Sequence, residues 1–197
     1  IIASLVKVIV GELSIFIIFF FRYLFCVPIL FLTAIYQRGK NAFDIKSKSG
    51  LSIRTITGLG SFGCLFAALQ FIDLSLMTIL LQTMPLFITL LAPFMINEVV
   101  GWFRRISVLI GFLGVILILN PINENWFNYG VMLGLLSPIF GALMTMSVRR
   151  LGKTDHPAST ALWYNLLGAI VFLFICVLSE VKWPEYNEIL LILLIVG

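Results

Sequence analysis

Between residues 74 and 98 the chain reads L-S-L-M-T-I-L-L-Q-T-M-P-L-F-I-T-L-L-A-P-F-M-I-N-E, 24 residues without a charge before Glu98 closes the run. At a helical rise of ~1.5 Å per residue, such a run crosses a ~30 Å hydrocarbon layer with some tilt. It is not uniformly apolar. Thr78, Gln82, Thr83 and Thr89 are polar, and Pro85 and Pro93 each lack a backbone N–H. Inside a bilayer, freed backbone groups are tolerated only where neighbouring helices or a wet cavity satisfy them. The stretch therefore predicts a broken or kinked membrane helix beside a cavity, lined by Thr78, Gln82, Thr83 and Met84. The simpler alternative is a packed span with a proline bend.

Composition points the same way. Of 197 residues, 61% are hydrophobic and 11% charged, where soluble domains carry about a quarter charged residues. The solvent is a bilayer, and the fold class is an all-α polytopic transmembrane helix bundle. The net charge of +4 does not indicate nucleic-acid binding, because the basic residues fall in short clusters between apolar runs. Cys26, Cys64 and Cys176 lie inside predicted spans without metal-ligand spacing, and His156 is the single histidine. No metal, cofactor or disulfide framework is expected. An enzyme would need a nucleophile–base pair, an acid cluster or metal ligands at membrane depth. The sequence offers none.

The chain opens with Ile in mid-hydrophobic run and closes in another, which reads as truncation at both ends. A half-span at 1–10 carries Lys7, whose long side chain can snorkel towards the turn at 11–14. Spans are expected at 15–36, 54–72, 74–97, 129–148 and 158–178, with a short one at 106–119 and an incomplete one at 189–197. Ten of the thirteen Lys and Arg residues lie in connections 37–54, 98–105 and 149–155, while six of the nine acids lie in the alternate turns. By the charge bias of membrane insertion, the basic connections are cytoplasmic. Gly60, Cys64 and Ala68, four apart, put small residues on one helix face for close approach, as do Gly130 and Gly134.

Residues 6–24 can be laid on 148–166, so that Lys7 meets Arg149 and Arg22 meets Tyr164. Five spans separate the copies, and an odd number inverts the second in the membrane. Inverted repeats are the architecture of many secondary transporters. The other account is that any two span–turn–span units look alike.

Residues 68–121 resemble the EamA-type repeat of the drug/metabolite transporter superfamily. The resemblance is carried by Ala68-Leu69, Pro85 followed by apolar residues, Glu98 closing the span, Gly111 with Gly114, and Asn120-Pro121. F-F-R at 20–22 and M-S-V-R-R-L-G-K at 146–153 resemble further family positions. The resemblance implies inverted five-span repeats, a first one at 1–121 and a partial second one at 122–197. It also implies a bacterial inner-membrane carrier that moves small organic metabolites by alternating access, with spans 54–72 and 74–97 lining the path. A non-functional remnant or membrane assembly partner of the same family is the alternative. The expected partners are a small solute and lipid, with a homodimer as a candidate assembly.

Two further residues join the candidate cavity. Arg22 lies well inside its span, where an Arg costs about 2.5–3.5 kcal/mol on insertion scales; it is expected to face the bundle interior, as a solute contact or as a structural pair with Glu12. Gln70 sits at the end of the preceding span, either lining the cavity or bonding to the helix end. Trp163, Tyr164 and Asn165 are expected in an interfacial aromatic belt.

Overall fold

The computed structural model describes residues 15–96, Val99, 101–119 and 129–179. Seven α-helices are found among them: α1 (Ile15–Arg38), α2 (Lys48–Ala68), α3 (Leu74–Leu81), α4 (Met84–Ile96), α5 (Trp102–Leu119), α6 (Tyr129–Leu151) and α7 (Pro157–Leu178). No strand occurs among the described residues. Five helical segments are long and apolar enough to cross a membrane, α3 and α4 together forming the span Leu74–Ile96. The all-helical, membrane-spanning class expected from composition is what the chain adopts. The half-span at 1–10, Glu12, Glu98, the turn at 120–128 and the span at 189–197 lie outside the described residues.

Two helix starts differ from the sequence expectation. Helix α2 begins at Lys48, not at residue 54, because the Ser47 hydroxyl accepts the Gly50 N–H at 3.3 Å and caps it. A Lys/Ser-rich stretch that reads as loop is thus the first turns of a span, and Arg54 is a buried residue within α2. Helix α5 likewise begins at Trp102, so Arg104 and Arg105 sit in its first turn instead of in a loop.

The described residues form two compact units. The first contains α1, the connection to Lys46, and α7. Phe19 and Tyr23 stack on Phe172 at ring separations of 5.3 and 5.6 Å. A side chain at Gly168 would lie 2.9 Å from the Tyr23 ring, so glycine is what admits it. The Tyr23 and Tyr164 hydroxyls share a hydrogen bond of 3.0 Å. Tyr164 is therefore buried against α1, and not an interfacial belt residue, because its hydroxyl finds a partner inside. The connection after α1 is strapped to the start of α7. Arg38 Nη1 donates to Ser159 Oγ at 3.0 Å, the Lys46 N–H to Asp155 Oδ1 at 2.6 Å, and Trp163 Nε1 to the Phe43 carbonyl at 3.0 Å. His156 caps α7, its Nδ1 accepting the Ala158 N–H at 3.3 Å.

The second unit, Ser47–Thr154, is built around α6. Helix α2 runs antiparallel along it, from Gly50 beside Leu151 to Ala68 beside Val131. The small-residue face contributes as expected at both ends: Gly60 lies under Phe140, and Ala68 is fully buried. On another side α3 and α4 lie parallel to α6. Leu80 packs so close to Gly134 that a Cβ there would fall 2.6 Å from its methyl, and further along Ala92 packs on Met146. Helix α5 packs against α4, where the Phe87 and Phe112 rings meet edge-on at 5.4 Å.

Candidate functional site

The span at Leu74–Ile96 is broken where its polar residues are. Helix α3 ends at Leu81, α4 starts at Met84, and Gln82 and Thr83 form the joint. Two interactions stop α3. The Gln82 N–H is shared between the Thr78 and Ile79 carbonyls, and the Thr83 N–H turns back to the Leu80 carbonyl at 3.0 Å. The Thr83 hydroxyl also donates to the Leu80 carbonyl, at 2.6 Å. Pro85 then falls in the first turn of α4, where a missing N–H costs nothing and the fixed φ suits a helix start. Pro93, by contrast, lies inside α4 without ending it.

The joint rests on a second irregularity. Opposite it, α6 carries Ser137 and Pro138, both buried. Ser137 Oγ donates to the Ser61 carbonyl and Ser61 Oγ to the Ser137 carbonyl, each at 2.9 Å. This reciprocal pair ties α2 to α6 at the level where Met84 Sδ and Ser61 Oγ both approach Gly141 to 3.3 Å of a hypothetical Cβ. Ser61 and Ser137 escape sequence reasoning because their partnership spans 76 residues.

The six candidate residues fall in four settings. Thr83, 2% exposed, and Met84, half-buried, turn inward onto α6 and form the packed side of the joint. Thr78 and Gln82, one turn apart on the same helix face, are both exposed. Thr78 donates to the Leu74 carbonyl at 2.7 Å, leaving its oxygen free to accept, and the Gln82 amide has no hydrogen-bond partner among the described residues. Ser75, also exposed, precedes Thr78 by three and extends this polar stripe. Its spacing from Thr78 is the signal in the sequence that marks it. Gln70 is exposed in the turn before α3, away from the joint. Arg22 belongs to the other unit, on the exposed side of α1; its neighbour Tyr23 is the residue that turns into α7. Glu12, the partner expected for Arg22, lies outside the described residues.

Chemically, the stripe offers acceptors and an amide donor–acceptor pair on a membrane-length helix, with an apolar floor. These are groups able to hydrogen-bond a neutral polar group lying against them. No group of three or more His, Cys, Asp or Glu side chains that could hold a metal occurs among the described residues.

Residues 1–120 match the EamA-like transporter family. The chain is 32% identical over 118 residues to a protein of Vibrio cholerae named as a riboflavin transporter, covering 60% of this chain and 39% of that one. It is 32% identical over 151 residues to an uncharacterized transporter of Helicobacter pylori, covering 74% and 51%. It is 26% identical over 157 residues to an S-adenosylmethionine uptake transporter of Rickettsia prowazekii, covering 78% and 52%. The chain thus spans about half the length, or less, of these relatives. No solved structure matches it.

Proposed function

Because the chain belongs to the EamA-like transporter family, we propose that this multi-pass membrane protein carries a small organic solute across the bilayer by alternating access. Thr78 and Gln82 face the solute path, while Thr83 and Met84 hold the joint behind them. Relatives named for riboflavin and S-adenosylmethionine support a metabolite-sized, hydrogen-bonding solute. The single observation that carries the assignment is the exposed polar stripe on α3. Leaving an amide such as that of Gln82 against hydrocarbon costs several kcal/mol, so the face belongs to a wet cavity. The relatives are about twice as long as the part matched here, and their remaining helices are available to wall the other side.

In this reading the basic connections 37–54, 98–105 and 149–155 are cytoplasmic, the membrane is a bacterial inner membrane, and the repeats at 1–121 and 122–197 have opposite orientations. A solute bound at mid-depth alternates between the two faces as the joint between α3 and α4 flexes.

The test is solute flux in vesicles carrying the full-length protein, with riboflavin and S-adenosylmethionine among the trial solutes. Replacing Thr78 and Gln82 together by Ala removes two hydrogen-bonding groups worth about 1 kcal/mol each, and flux at low solute falls roughly tenfold to thirtyfold. Undiminished flux in a variant lacking Thr78, Gln82, Gln70 and Arg22 together overturns the site. Flux no faster than in empty vesicles, for every solute, overturns the function.

A further inference from the structure

At the end of the second unit that carries its cations, α4 and α6 leave an open-sided cavity of about 380 Å³ between them, lined by Phe94, Met95, Ile96, Arg150 and Lys153. Its two halves differ in chemistry. From α4 come three apolar side chains, with Phe94 84% exposed. From the end of α6 and the residues just after it come two exposed cations. The same unit also carries Lys48, Arg54, Arg104, Arg105 and Arg149, and its one described carboxylate is Asp73, at the far end of α2; Asp155, two residues after Lys153, accepts the Lys46 N–H. Glu98, two residues beyond Ile96 in the sequence, is outside the described residues; a single carboxylate would still leave one of the two cations uncompensated.

The geometry points to a binding site for the head group of an anionic phospholipid. Arg150 and Lys153 take the phosphate, the guanidinium as a fork and the ammonium as a point charge. The acyl chains leave through the open side along Phe94. A basic pocket between membrane helices is the form such head-group sites take, and the occupant is dictated by charge and by depth: a free phosphate uses the cations but leaves the exposed Phe94 uncovered. The inference requires that the chain lie in a membrane; it does not depend on what solute is carried.

Native mass spectrometry of the full-length protein, released from mixed micelles of phosphatidylglycerol and phosphatidylcholine, reads the preference directly. The wild type retains phosphatidylglycerol over phosphatidylcholine. Arg150→Gln and Lys153→Gln each reduce that ratio roughly fivefold, the worth of one cation near a lipid surface, and the double variant removes most of it. Arg150→Lys with Lys153→Arg keeps it. An equal charge removal outside the cavity, Arg104→Gln with Arg105→Gln, leaves it within twofold. Unchanged melting in phosphatidylcholine alone verifies that each variant is folded. The proposal is overturned if the two double neutralisations lower the ratio equally, which would mean a general surface field. It is equally overturned if inorganic phosphate at matched concentration displaces phosphatidylglycerol completely.

Discussion

Helices α3 and α5 both present one side to the outside of the described chain, and the two sides could hardly differ more. Beyond Ser107, α5 exposes Leu109, Ile110, Leu113, Ile116 and Leu117, all aliphatic. The exposed line of α3 and its joint is Leu74, Ser75, Thr78, Gln82 and Pro85. Hydrocarbon welcomes the first surface and penalises the second by several kcal/mol for the amide alone. The comparison teaches that exposure within one chain has two meanings in a bilayer. An aliphatic face is finished as it stands, whereas a polar face calls for a partner that can hydrogen-bond to it.

The largest effect that would break this contrast is a charge placed on each face. Ile110→Arg, midway along α5, should cost about 2.5–3.5 kcal/mol and abolish folded protein in membranes. Thr78→Arg should leave yield and melting nearly intact while stopping flux. Equal losses of folded protein in the two variants, measured by fluorescence-detected size exclusion, would mean that both faces meet lipid. Next in size is a pair of glycine substitutions. Gly134→Val drives a side chain into buried Leu80 and should destabilise by about 1–3 kcal/mol. Gly114→Val on α5, where nothing lies within 4 Å of the added carbon, should stay within about 0.5 kcal/mol. Comparing melting midpoints in one detergent checks both. Smallest is the serine pair behind the joint. Ser61→Ala and Ser137→Ala should each cost about 0.6 kcal/mol, with an upper bound near 1.7. A double-mutant cycle by thermal melting would show coupling between them if their two bonds support one another.

What could be read from the chain, and what could not, follows a physical line. Membrane class and the defect between residues 74 and 98 are properties of contiguous sequence and are legible there; the short span expected at 106–119 is a helix but not one of the five segments long and apolar enough to cross. The location of the break was harder. Five prolines fall inside or at the start of the described helices, and Pro28, Pro93 and Pro138 are each carried through. The break follows the backbone turns of Gln82 and Thr83, not proline as such. Which of those two faces outward depends on a rotation of about 100° per residue and on Gly134 drawing Leu80 in, and a polar pair cannot announce that. The start of helix α2 is not legible in the sequence, because Ser47 and its lysine neighbours have the composition of a loop and only the cap turns them into a helix start. Partnerships such as Ser61 with Ser137, or Tyr23 with Tyr164, lie too far apart in the chain for any local pattern to reveal.

That last distance bears on how the protein is born. Tyr23 and Tyr164 stand 141 residues apart, and the whole of the second unit is encoded between them. At about 5–20 residues per second of synthesis, α1 is made roughly seven to thirty seconds before the helix it stacks on exists. Helices α2 to α6 can settle together in that interval, and the first unit closes around its tyrosines only once the ribosome has delivered α7.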